Sequence, residues 1–108
     1  MQASMEPTVQ VLAPSGILDG TQAAEVRNKV SEALATGAKT LLIDLKDITF
    51  IDSSGLGTLV SVLKKVRSQD CEMVVCSISP QVKMLFELTS MDQVFQVFED
   101  RAAFEAST

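Results

Sequence analysis

The sequence predicts an α/β fold in a single domain of 108 residues. Three observations carry this expectation. Strand-length apolar runs alternate with segments whose apolar residues recur every three or four positions, the pattern of a sheet with helical crossovers. Two of the runs, Thr40–Leu45 and Glu72–Ile78, are nearly continuous rather than alternating, as in strands covered on both faces and paired in parallel. Nearly half of the residues are apolar, enough for a core without disulfides or a structural metal.

Taken in order, residues 1–8 form a polar leader broken by Pro7, or an edge strand. Val9–Ala13 then mixes β-branched and apolar residues before the turn signal Pro14-Ser15-Gly16. Ile17-Leu18 resumes extended structure. Ala23, Val26, Val30, Ala33 and Leu34 follow at helical spacing up to the stop at Gly37. Thr40–Leu45 is expected at the sheet centre, and Ile48–Ile51 carries the chain into Asp52-Ser53-Ser54-Gly55-Leu56-Gly57.

Asp and Ser are preferred helix N-caps, because a side-chain oxygen can accept from a backbone N–H that the first turn leaves unpaired. A helix is therefore predicted to open here and end near Arg67. At 100° per residue Leu56, Leu59, Val60, Leu63 and Val66 share the face to be buried, while Ser54, Gly57, Thr58, Ser61, Lys64 and Lys65 share the opposite arc. Gly55 and Gly57 each cost about 1 kcal/mol relative to alanine in a helix, so each needs a compensating reason. Close packing within the chain and docking of a partner are the two available.

After the strand at Glu72–Ile78, Ser79-Pro80 caps and starts a short helix with Val82, Leu85 and Phe86 inward. Met84 and Leu88 fall off that stripe and read as flanking core. Val94–Phe98 is the last strand, and Asp100 caps a terminal helix and tail over 101–108 that carries Ala103 and Phe104.

Composition excludes several functions. Nine basic against fourteen acidic residues give a net charge of −5, which repels nucleic acid rather than gathering it. With no histidine, the Ser-His-Asp triad and imidazole metal sites are absent. Gly55-Leu56-Gly57 lacks both the third glycine of a dinucleotide fingerprint and the Gly-Lys-Ser/Thr ending of a P-loop. Cys71 and Cys76, five positions apart, match neither a redox pair nor a zinc ligand set and read as free thiols of a reducing, cytoplasmic compartment. No run approaches the roughly 18 apolar residues of a membrane span.

A serine at an exposed helix N-terminus can instead be a substrate for phosphorylation. The modification adds about −1.5 to −2 charges where the helix dipole favours them.

Four features together resemble the STAS domains of bacterial anti-sigma-factor antagonists. They are Gly16-Ile17-Leu18-Asp19 with Thr21 and Ala23; Leu42-Ile43-Asp44-Leu45 followed by Asp52-Ser53-Ser54-Gly55-Leu56-Gly57; Glu72-Met73-Val74-Val75-Cys76; and Ile78-Ser79-Pro80-Gln81-Val82-Lys83 leading to Leu85-Phe86. The pattern departs at Ile17, at Asp92 and in the loop Ser68–Cys71, which bear on partner identity more than on fold.

The resemblance implies a STAS-like domain: a four- to five-stranded mixed sheet, about four helices mainly on one face, and an edge strand from the N-terminus. It also implies a non-enzymatic switch. The unphosphorylated protein would bind an anti-sigma factor that is itself a serine kinase of the histidine-kinase-like ATPase fold, freeing the sigma factor. Ser53 would be the phosphorylated residue, and a PP2C-type phosphatase would reverse the modification. ATP belongs to the kinase, so no cofactor is implied for this chain.

Asp19, Asp52, Ser54, Gly55, Gly57, Thr58 and Ser61 are the expected partner surface. Asp52 has two readings of equal weight, orienting the Ser53 hydroxyl or capping the helix. The alternatives are a STAS subunit of a membrane lipid or anion transport complex or of a stress-signalling assembly, and, from another class, a small redox protein using Cys71 and Cys76.

Overall fold

A computed structural model describes residues 9–107, so the expected leader or edge strand over 1–8 lies outside the described residues. Six strands and four helices follow in the order β1 (Val9–Leu12), β2 (Gly16–Leu18), α1 (Ala23–Ala35), β3 (Thr40–Asp44), β4 (Ile48–Ile51), α2 (Ser53–Ser68), β5 (Glu72–Cys76), α3 (Pro80–Leu88), β6 (Gln96–Phe98) and α4 (Arg101–Ala106).

The main sheet has the order β1-β3-β5-β6. Each of its pairs is parallel, and β3 and β5 run in register from Thr40 opposite Glu72 to Asp44 opposite Cys76. The two near-continuous apolar runs are thus the central strands, because a helix bridges each parallel step and both faces are then covered. The mixed character expected for the sheet is not seen among the described residues, where every pair is parallel.

On one face, Leu41, Ile43, Met73 and Val75 pack against Val30 and Ala33 of α1, Leu59, Leu63 and Val66 of α2, and Val82 and Phe86 of α3. On the other face, Leu42, Val74 and Cys76 meet Phe104 of α4, which stands edge-on to Phe98 with ring centroids 5.3 Å apart. Three helices therefore share one face and a single short helix covers part of the other. Asp44, on the α4 side, is buried and accepts a hydrogen bond from the Lys46 backbone N–H at 3.1 Å.

Four local expectations change. Ile48–Ile51 is a strand in its own right, pairing in parallel with β2 as a separate two-stranded ribbon. The Asp52 segment accordingly follows that ribbon and not the central strand. Val94 precedes β6, and Phe95 turns into the core against Phe86, with centroids 5.7 Å apart. Met84 and Leu88 are 61% and 78% exposed rather than flanking core, because the inward side of that nine-residue helix is taken by Val82 and Phe86, which are buried, and by Leu85, which packs part-buried against the core as expected.

Candidate functional site

The site is built where the ribbon hands the chain to α2. Asp52 is extended, and its carboxylate accepts from the Gly55 N–H at 2.8 Å while its carbonyl accepts from Leu56 N–H at 2.9 Å. Of the two readings of Asp52, the geometry carries the helix cap. Ser53 is the first helical residue and is exposed. Among the described residues, no group hydrogen-bonds to its hydroxyl.

A second segment, at the end of β2, is held beside this turn. Asp52 N–H donates to the Leu18 carbonyl at 3.3 Å. Asp19 caps a short 3-10 turn by accepting from the Thr21 N–H at 2.9 Å and from the Thr21 hydroxyl. These two bonds, the hydroxyl's first, hold the Asp19 carboxyl below its ordinary pKa of 3.8. Gly20 lies against Ser54, since a β carbon placed on it would stand 3.5 Å from Ser54 Cβ. Residues more than thirty positions apart in sequence, Asp19 and Asp52–Ser54, are therefore on one surface.

The two helical glycines have different reasons. A β carbon at Gly55 would overlap the Leu18 carbonyl oxygen and lie 2.7 Å from its carbonyl carbon, so the fold itself demands glycine there. At Gly57 a β carbon would meet nothing within 4 Å among the described residues. Packing among the described residues does not account for Gly57.

The arc expected to face outward is also revised. Ser54, Gly57 and Ser61 are exposed and form one stripe with Ser53 at its head. Thr58 is only 3% exposed and donates its hydroxyl to the Ser54 carbonyl at 3.0 Å. Val62 is fully buried while Val60 packs only part-buried against the core, so the centre of the buried face is rotated toward Gly55 and Thr58. The cause is the tight Gly55–Leu18 approach, which pulls that side of the first turn onto the ribbon.

Sequence reasoning missed one neighbour. An open recess of about 500 Å³ runs between β4 and α3, lined by Phe50, Ile51, Asp52, Ser53, Gln81 and Leu85. Phe50 is 54% exposed and stands opposite Ile17 on the outer side of the ribbon. The signal available was the Ile48-Thr49-Phe50-Ile51 sequence, whose ends are buried and whose middle is not. Cys71 is half-buried and Cys76 buried. The Cys76 thiol is pushed up from its ordinary 9.0 chiefly by burial. Among the described residues no group of three or more acidic, cysteine or histidine side chains could hold a metal ion, and no helix is long and apolar enough to cross a membrane.

Comparison with known proteins places the chain. The sequence model of the STAS domain matches residues 1–103. An anti-sigma F factor antagonist from Paenibacillus polymyxa is 28% identical over 93 residues, 85% of this chain and 80% of that protein.

Among solved structures, SpoIIAA in its unphosphorylated form, described as an anti-sigma factor antagonist, superposes with a TM-score of 0.75 at 19% identity, covering 94% of this chain and 90% of that one. The phosphorylated form of the Bacillus protein gives 0.69 at 19% identity, covering 95% and 94%. The STAS domain of a SulP transporter from Vibrio cholerae gives 0.77 at 15% identity, covering 94% and 82%. These structural likenesses concern the fold.

Proposed function

The chain belongs to the STAS domain family, and on that premise we propose that it is an anti-sigma factor antagonist, a cytoplasmic, non-enzymatic binding protein switched by phosphorylation of Ser53. The observation that carries the proposal is the unengaged, exposed Ser53 hydroxyl at the start of α2, at the head of a surface stripe made of Ser54, Gly57 and Ser61. In its unphosphorylated form the protein docks this stripe, with Asp19 and Asp52 at its border, on an anti-sigma factor that is a serine kinase. The kinase binds the ATP, and a PP2C-type phosphatase restores the serine.

Gly57 supports docking as the purpose of the stripe. A glycine in a helix costs about 1 kcal/mol against alanine, and no neighbour within the described chain requires this one. A bare helix surface lets another backbone come close. Gly55 and Thr58 act from beneath, by fixing the position of the first turn.

The magnitudes make Ser53 a binding switch rather than a folding switch. A phosphate at a helix N-terminus is favoured by about 0.3–1 kcal/mol, so the domain keeps its fold. Buried against a partner beside Asp52 and Asp19, the same charge costs several kcal/mol, and each 1.4 kcal/mol is tenfold in affinity.

The test uses the kinase of the native host. Ser53→Ala should bind it like the unmodified protein, and Ser53→Asp should bind at least tenfold more weakly. With ATP present, the unmodified chain should gain one phosphate, localised to Ser53. Equal affinity of the two variants together with no phosphate at Ser53 would sink the proposal. The alternative of a transport-complex subunit predicts co-purification with a membrane assembly in place of a soluble kinase.

A further inference from the structure

The ribbon of β2 and β4 turns one face inward and leaves the other to solvent. Leu18 and Ile51 are buried on the inner face, whereas their chain neighbours Ile17 and Phe50 are 50% and 54% exposed on the outer one. In the parallel register Ile17 is the residue directly opposite Phe50, so the two side chains share that face about one strand spacing apart, roughly 4.8 Å. Exposed apolar residues scattered singly are ordinary on a protein surface. Here a β-branched residue and an aromatic ring stand side by side, and together they form a patch.

The patch is continuous with the switch. Phe50 lines the open recess that Ser53 also lines, with Gln81 and Leu85 of α3 across from them. Ser53 and Gln81 are exposed and Leu85 is half-buried, so the recess is open to a partner. A body seated over the Ser53 hydroxyl meets this recess, and in closing it covers Phe50 and its neighbour Ile17. Asp19, two residues beyond Ile17, and Asp52, two beyond Phe50, border the end of the patch nearest Ser53. Each carboxylate is fixed in place by the backbone N–H it accepts from, and the groups that complement a fixed acidic border are basic.

Taking the Ser53 stripe as a docking surface, the reading on which this rests, we infer that Ile17 and Phe50 are an apolar anchor for the same partner, the kinase. They select one whose facing surface is an apolar patch bordered by basic side chains. A ring already held on a strand gives up little freedom when it is covered, and the polar rim of Asp19, Asp52 and Ser53 keeps water from the contact. The stripe supplies close approach and the switch; the ribbon supplies the area that is desolvated.

The test is the affinity of the unphosphorylated full chain for the kinase of the native host, measured by calorimetry at low and high salt. Phe50→Thr and Ile17→Thr keep a strand-forming residue, and each should weaken binding about tenfold or more at both salt concentrations. Phe50→Leu keeps the apolar surface and should stay within about threefold of the parent. The loss in Asp19→Asn should instead shrink as salt rises. A cross-strand pair that only holds the ribbon together would lower the urea midpoint and leave the affinity of the folded protein unchanged, which would overturn the inference. So would Phe50→Leu binding as weakly as Phe50→Thr. A parent dimer in sedimentation, dissociated by the threonine variants while kinase affinity stands, would give the patch to a second copy of this chain and overturn it too. If the parent binds the kinase and Ser53→Asp weakens binding, these results remove the anchor and leave the switch; a parent that does not bind removes both.

Discussion

Gly55 and the carbonyl of Leu18 are packed backbone to backbone, so closely that the first turn of α2 has no room for a β carbon on that side. This contact joins the end of one strand of the ribbon to the start of the helix bearing Ser53. It sets which face of α2 is buried and how the exposed stripe is presented.

Gly55→Ala should therefore destabilise the protein although alanine is the better helix former by about 1 kcal/mol. Overpacking against backbone, which cannot rotate away, costs about 1–3 kcal/mol and outweighs that gain. Gly57→Ala meets open space and should stabilise the fold by about 0.5–1 kcal/mol. Urea unfolding midpoints of the two variants should move in opposite directions, and under the proposed function the more stable Gly57→Ala should bind the kinase less well.

Removing the cap tests the role of Asp52. Asp52→Ala leaves the Gly55 N–H without its partner and should lower stability by about 1 kcal/mol. Asp52→Asn keeps an accepting oxygen and should lie within a few tenths of a kcal/mol of the parent, asparagine and aspartate being near-equal caps. If the two variants were equally unstable, the charge and not the hydrogen bond would be the essential property.

Asp19 gives a pH dependence whose sign is fixed. Its carboxyl is held below the ordinary 3.8 by the Thr21 hydroxyl and N–H, so the folded state favours the ionised form. Its stabilising contribution is complete above the ordinary value and is lost as pH falls from there through the lowered one. By carboxyl NMR titration Thr21→Val, which removes the hydroxyl donor, should bring the Asp19 midpoint up toward 3.8.

The cysteines should differ in reactivity. Cys76 is buried in the layer beneath α4, and its raised pKa disfavours the thiolate that reacts. Cys71 is half-buried. Brief alkylation of the folded protein at pH 8 should label Cys71 first, and both thiols only after denaturant is added. Fast labelling of Cys76 in native buffer would mean that α4 opens readily from the sheet.

The sequence by itself determined the alternation of elements, the central parallel pair β3 and β5, and the opening of α2 within Asp52–Gly57. Each rests on a local signal: apolar periodicity, a strand-length run, or a capping side chain within three residues of the group it satisfies. Tertiary structure alone decided that Gly55 is required by Leu18 and Gly57 by nothing within the described chain, that Thr58 points inward, that Ile48–Ile51 forms a ribbon with β2, and that Phe50 opens a recess beside Ser53. These depend on which distant segment lies against each residue. Periodicity along one helix can say that a face is buried, but its rotation by a fraction of a turn is set by the neighbour it meets, here a carbonyl 37 positions earlier in the chain.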